Sequence, residues 1–182
     1  MSRERATLLP EKIDKYQVLN EIGHGAMGTV YLGRDPKLER YVAIKVLSAE
    51  YVDNEQQDRF LREAKAAGRL GHPNIVTVYD FGSFRKNREQ RSYIAFEYVE
   101  GPSLADLIHD KEKFPRHSSL HRKLQMMEEL CDGLAFAHRA KIVHRDIKPA
   151  NIIVQELSGS IKILDFGIAR WLDASATQTT SV

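Results

Sequence analysis

The run His144-Arg145-Asp146-Ile147-Lys148-Pro149-Ala150-Asn151, followed by Asp165-Phe166-Gly167, combines side chains suited to one kind of chemistry. Moving a terminal phosphoryl group needs an acceptor hydroxyl held in line, metal ions across the phosphates and cations against the spreading charge, with little covalent work left for the protein. Asp146 supplies a carboxylate that can accept the hydroxyl proton. Asn151 offers a neutral amide oxygen that can ligate a hard cation such as Mg²⁺ without adding charge. Lys148, between them, is a point charge for the group in transit. Asp165 follows the apolar run Ile161-Lys162-Ile163-Leu164, which reads as a strand delivering a second metal-binding carboxylate. One isolated Asp here would more simply cap a turn; the combined string argues for the phosphoryl site.

Other segments must position these groups. Gly23-His24-Gly25-Ala26-Met27-Gly28-Thr29-Val30 is glycine-rich, and one reading of such spacing is a dinucleotide-binding turn that opens a helix. Its flanks argue otherwise: Tyr16 to Ile22 and Thr29 to Gly33 are short and rich in β-branched and aromatic residues, and Arg34-Asp35-Pro36-Lys37 signals a turn. A strand-loop-strand hairpin is expected, with glycines letting backbone amides approach phosphate. Lys45 ends the apolar strand Val42-Ala43-Ile44-Lys45, where an unpaired ammonium is costly, so it needs a partner. A helix is expected from about Asn54 to Leu70, with Phe60, Ala64, Ala67 and Leu70 at helical spacing. Gly101-Pro102 then breaks the chain, and Ser103 caps a short helix running to about Ile108. A longer helix carries Leu120, Leu124, Met127, Cys131, Leu134 and His138 on one stripe, which reads as core, with His138 partly buried rather than a ligand.

Composition fits a cytosolic enzyme of one medium domain or two small lobes: 182 residues, 42% hydrophobic, net charge +2. The basic run Arg85-Lys86-Asn87-Arg88-Glu89-Gln90-Arg91 lacks interleaved aromatics and reads as a solvated hairpin tip, so no nucleic-acid partner is expected. A single cysteine rules out an internal disulfide framework, and neither Cys nor His has metal-ligand spacing. No stretch has the apolar length of a membrane span, and Met1-Ser2-Arg3-Glu4-Arg5 is too polar for a secretory signal, so a cytoplasmic location is the default. Ala174 to Val182 reads as a mobile polar tail.

These motifs, in this order, resemble the eukaryotic-type protein kinase family over nearly the whole chain from about Tyr16, and in style its bacterial Ser/Thr members. His72-Pro73-Asn74-Ile75-Val76 and the hinge-like Phe96-Glu97-Tyr98-Val99 complete the series. The resemblance implies an α+β, two-lobed protein-kinase-like fold. After an N-terminal extension (1–15) would come a complete β-rich N-lobe (16–96), then the hinge and an incomplete helical C-lobe (97–182) ending in the activation segment. It also implies roles. Ile22, Gly23, Gly25 and Gly28 would cover ATP, Lys45 would hold its α and β phosphates, and Glu63 would hold Lys45. Val30 and Ala43 would pack on the adenine from one side and Ile153 from the other, with Phe96 at the back and the backbone of Glu97 and Val99 bonding the base. Asp146 would be the catalytic base, Lys148 the phosphate contact, and Asn151 and Asp165 the Mg²⁺ ligands, while His144 and Phe166 would pack.

Lys148-Pro149 resembles the kinases that phosphorylate serine or threonine of proteins, and small-molecule phosphotransferases of related fold usually lack this context. Arg145 offers a cation for a phosphorylated activation segment, with Thr177, Thr179 and Thr180 in the region to supply the phosphate. The family continues past this point through an Ala-Pro-Glu-like anchor and further helices. Their absence from this chain implies apolar surface on the long helix, open to a partner or to aggregation, and little or no turnover by the chain alone. The alternative is a non-catalytic ATP-binding regulator or inert fragment. Intact Lys45, Glu63, Asp146, Asn151 and Asp165 argue for the enzyme, and the missing substrate-binding half argues for the alternative.

Overall fold

In β4 (Arg40–Leu47), side chains of alternate residues enter different cores, as the period of a strand requires. Val42, Ile44 and Val46 join Ile13, Tyr16, Tyr31, Tyr93 and Ala95 on one face. Ala43 and Leu47 join Ile94, Phe96 and Val99 on the other. This computed structural model describes residues 9–25, 28–48, 64–65, 67–86, 89–110 and 119–166. Around β4 lies a six-stranded antiparallel sheet in the order β1-β2-β3-β4-β6-β5. Its other strands are β1 (Lys12–Ile13), β2 (Tyr16–Gly25), β3 (Gly28–Asp35), β5 (Val78–Lys86) and β6 (Glu89–Glu97).

The sheet reaches back ahead of the boundary expected at Tyr16: Ile13 pairs with Tyr16 and is fully buried. The Tyr93 hydroxyl donates to the Asp14 carboxylate at 2.7 Å and the Tyr16 hydroxyl to Asp80 at 3.2 Å, while burial pushes the Tyr16 phenol up to about 12, so it stays a donor. At the β3–β4 turn, Asp35 Oδ1 accepts the amides of Lys37 and Leu38. Burial alone would raise that carboxyl, but the two amide donors bring it below its ordinary value. β5 and β6 form the hairpin expected around the basic run, with Arg85 opposite Gln90.

The expected helix from Asn54 to Leu70 is described only at its end. Ala64, Lys65 and Ala67 are helical, and a turn closed by Leu70 N donating to Ala67 O follows, so the helix stops short of Leu70. The chain after the sheet forms α1 (Leu104–His109), α2 (Leu120–Arg139), a 3-10 turn (Pro149–Asn151) and a two-stranded ladder of β7 (Ile152–Val154) and β8 (Ile161–Ile163). Ser103 caps α1 with a reciprocal capping box to Asp106.

The face that α2 buries differs from the expected one. Met126, Gly133 and Ala137 are buried against Leu107, Ile161 and Ile163, with Leu130 and Leu134 alongside. Leu120, Leu124 and Met127 are 72%, 59% and 55% exposed, and Cys131 and His138 are exposed too, so among that stripe Leu134 is the residue that packs on the core. Residue size decides the choice. A Cβ at Gly133 would lie 2.8 Å from Ile163 Cδ1, so the missing side chain lets β8 approach the helix closely. Glu129 completes the docking, accepting the Ile161 amide at 2.7 Å and pairing with Arg122 at 3.0 Å. Burial of Leu107, Ile161 and Ile163 contributes roughly 1.5–3 kcal/mol each. Among the described residues, no helix is long and apolar enough to cross a membrane.

Candidate active site

The strand register brings together residues far apart in sequence. Gly23 lies opposite Val30, Val30 opposite Lys45, and Ala43 opposite Phe96. Because Val42 and Ile44 point to the outer core, Ala43 and Lys45 point to the other face, towards β7 and β8. A cleft of about 310 Å³ opens there. From the sheet and the segment after it come Ile22, Gly23, Val30, Ala43, Lys45, Phe96, Glu97 and Val99, and from below come Asn151, Ile153 and Asp165.

Val76, Tyr98, Ala150 and Leu164 also line this cleft. Each sits inside a motif singled out in the sequence, but alternation within a single strand gives no sign that Val76 or Leu164 would face inward. Gly25 and Gly28 are not part of the lining; they face each other at the end of the β2–β3 hairpin. That hairpin disposes of the dinucleotide-turn alternative, since the chain after the glycines is a strand. At Gly28, φ is +143° and a Cβ would sit 1.9 Å from the Val46 carbonyl oxygen, so only glycine fits. Glu63, Gly167, Thr177, Thr179 and Thr180 lie outside the described residues.

The loop from His144 to Asn151 is tied together by its own side chains. Leu164 O can only accept, so His144 Nε2 donates to it at 2.7 Å, while Nδ1 accepts the Asp146 amide at 3.3 Å. That arrangement demands the neutral ring, and burial accordingly pulls its pKa below the ordinary histidine value. The ring packs edge-on against Phe166, centroids 4.6 Å apart. Asn151 Nδ2 donates to Asp146 O at 2.8 Å and Asp146 Oδ2 at 3.0 Å. Both partners are acceptors, which fixes the amide orientation and leaves Asn151 Oδ1 available.

Lys148 Nζ lies 2.8 Å from Asp146 Oδ2. Its bond to the carboxylate, with the Asn151 amide assisting, holds Asp146 below the usual carboxylate range, ionised and purely an acceptor at neutral pH. Asn151 O accepts the Leu164 amide at 2.9 Å, which couples this loop to the residue before Asp165. Asp165, at φ +54°, places Oδ2 2.8 Å from Lys45 Nζ. Lys45 therefore has a partner among the described residues, and it is Asp165. A continuous polar path runs Lys45, Asp165, Leu164, Asn151, Asp146, Lys148.

The protein kinase domain model matches residues 16–182. The chain belongs to the protein kinase domain family. It is 46% identical over 172 residues to the serine/threonine-protein kinase PrkC of Bacillus subtilis (strain 168), covering 92% of this chain and 25% of that protein. It is 39% identical over 179 residues to the serine/threonine-protein kinase PknB of Mycobacterium leprae (strain TN), covering 97% and 28%. The chain thus spans about a quarter of the length of these relatives. The crystal structure of the Mycobacterium tuberculosis PknI kinase domain superposes with a TM-score of 0.71 at 34% identity, over 87% of this chain and 62% of that one. The kinase fold is thereby shown, with a β-rich lobe and the part of the helical lobe that carries the His144 loop, β7 and β8.

Proposed function

We propose that this kinase domain transfers the terminal phosphoryl group of ATP, with Mg²⁺, to serine or threonine hydroxyls of proteins. The observation that carries the reading is the polar path itself: Lys45, Asp165 and Asn151 line an apolar cleft, and Asn151 ties them to the Asp146–Lys148 pair beside it. Ile22, Val30, Ala43 and Ile153 enclose a flat heterocycle, the backbone of Glu97 and Val99 reads its edge, and Phe96 closes the back. Gly23, in the cleft lining, lets backbone approach the phosphates, Gly25 and Gly28 close the hairpin above them, and Lys45 holds the α and β phosphates. Residues 16–96 serve as the nucleotide-holding lobe, and the chain from 97 onward supplies the loop that meets the acceptor.

The donor set suits Mg²⁺. Asn151 Oδ1 and Asp165 Oδ1 take no hydrogen bond among the described residues, and no group of three or more His, Cys, Asp or Glu there could hold a metal. One carboxylate and one amide oxygen fit an ion that completes its shell with phosphate and water. When bound there, Mg²⁺ would neutralise charge on the phosphates. Asp146, ionised and steadied by Asn151, accepts the hydroxyl proton and orients the acceptor. Lys148, released from Asp146, offsets charge on the moving group. A domain that uses ATP works in the cytoplasm, where that nucleotide is held.

The test is calorimetry of Mg²⁺-dependent ATP binding to the chain, with Lys45→Ala and Asp165→Asn as controls. Phosphoamino-acid analysis of an acceptor protein incubated with labelled ATP follows, with Asp146→Asn alongside. Phosphoserine or phosphothreonine that vanishes in Asp146→Asn supports the reading. A chain that binds no ATP in Mg²⁺ overturns it.

A further inference from the structure

Lys162 is a charged residue that the proposed chemistry does not use. It sits in the middle of β8 and is only 9% exposed, between Ile161 and Ile163, which enter the core beneath α2. Strand alternation sends its side chain to the other face, where Nζ meets Glu97 Oε2 at 2.9 Å. The same carboxylate oxygen accepts the Thr77 amide at 3.2 Å, and the Glu97 amide donates to Thr77 O at 2.8 Å. Glu97 is thus gripped through both backbone and side chain at the residue where the sheet gives way to the cleft-lining stretch Glu97-Tyr98-Val99.

Desolvating an ammonium and a carboxylate is costly, and apolar residues of similar size would fill the space at least as well. What the ion pair adds is direction. It fixes one end of the Glu97–Val99 backbone against the strand that delivers Asp165. The Cα partner of Lys162 is Ile153, in the cleft wall, and the Ile163 carbonyl accepts the Val76 amide, so the anchor point is itself rigid.

We infer that Lys162 and the Glu97 carboxylate form a positioning pair, which sets the backbone that reads the nucleotide base at a fixed distance from the carboxylate that meets the metal. The Glu97 carboxylate is taken up by Lys162 and the Thr77 amide, so the pair acts through the backbone it holds. The inference rests on the nucleotide reading of the cleft and specifies how one half of it is held in register with the other.

The experiment compares wild type, Lys162→Met, Lys162→Arg and Glu97→Gln in two measurements. The first is calorimetric binding of Mg·ATP and of Mg·tripolyphosphate, which lacks a base. The dissociation constant for Mg·ATP should rise about tenfold in Lys162→Met and Glu97→Gln, the scale of one charged hydrogen bond, while Mg·tripolyphosphate stays within about twofold and Lys162→Arg restores ATP binding. Equal weakening of both ligands, or unchanged ATP binding, overturns the pair's positioning role.

The second measurement is amide hydrogen exchange at Thr77 and Glu97 to Glu100 in the ligand-free chain. It should quicken in Lys162→Met and be spared in Lys162→Arg, and unchanged exchange also overturns the inference. If wild type binds neither ligand while exchange responds as described, the nucleotide reading fails and the hinge brace stands.

Discussion

Replacing Asp165 by Asn separates its observed pairing with Lys45 from its proposed role as a metal ligand. Asn is the replacement of choice because residue 165 sits at φ +54°, a left-handed conformation that Asn tolerates and Ala does not. At 2.8 Å from Lys45, Asp165 feels a gross attraction of about 6 kcal/mol at an effective dielectric constant of about 20. The Asp165 side chain is 30% exposed and that of Lys45 10%, so desolvation and water access offset most of it, leaving a net coupling of about 1–3 kcal/mol. A double-mutant cycle of Lys45→Met and Asp165→Asn, read by urea unfolding, should return that coupling. Nucleotide binding should then split by metal. In EDTA, Asp165→Asn removes a negative charge beside the phosphates and frees Lys45, so ATP binds about tenfold more tightly, while Lys45→Met weakens it. In Mg²⁺, Asp165→Asn should weaken ATP binding by about 10–100-fold, because a metal ligand is gone. If Asp165→Asn weakens metal-free ATP as Lys45→Met does, the carboxylate serves the architecture and the metal assignment is refuted. A coupling below about 0.5 kcal/mol would refute the pairing with Lys45 instead.

Three further outcomes are expected. Gly28→Ala forces a Cβ against the Val46 carbonyl at a positive φ and should destabilise the chain by about 2 kcal/mol or more, whereas Gly25→Ala, with nothing within 4 Å, should leave the melting temperature within about 1 °C. His144 has a folded-state pKa below its unfolded value, so the unfolded state takes up the proton first and stability falls as pH drops below about 6.5. His144→Gln keeps a donor for Leu164 and should flatten the melting temperature between about pH 5 and 6.5, and an unchanged slope counts against a buried neutral ring. The exposed stripe of Leu120, Leu124 and Met127 should drive concentration-dependent self-association, which Leu124→Lys with Met127→Glu should reduce in light scattering without shifting the melting temperature.

The cleft-lining residues of β4 came from the resemblance, which implied nucleotide roles for Ala43 and Lys45; strand alternation supplies the physical reason, since with Val42 and Ile44 in the core Ala43 and Lys45 must face the other way. Helix periodicity is a weaker guide in α2, which carries two apolar stripes. The longer side chains of Leu120, Leu124 and Met127 pointed to the wrong one. The usable signal was small size, since Gly133 and Ala137 permit the close approach that larger residues prevent. Partners across sequence distance were the least legible. The Lys45–Asp165 pair joins residues 120 positions apart, and the Lys162–Glu97 pair joins residues 65 apart. A lone lysine in an apolar run signals that a partner exists without saying which.

Three residues of β8 explain why the acidic group at 165 can be placed so closely. The backbone amides and carbonyls of Ile161, Ile163 and Leu164 each have a fixed partner. The Ile161 amide meets Glu129 and its carbonyl meets the Asn74 side chain, while Ile163 exchanges bonds with Asn74 and Val76. Leu164 donates to Asn151 and accepts from His144. Directly after these residues the backbone turns, with φ of +54° at Asp165. On the proposed reading, in which Asp165 leaves Lys45 for a metal, the carboxylate sits at the end of this firmly held strand. The same strand carries Lys162 to Glu97 and Ile163 to α2, so a substitution in β8 would reach the proposed base and metal sites and the core packing together. This is why the Lys162 variants need a ligand without a base as their control.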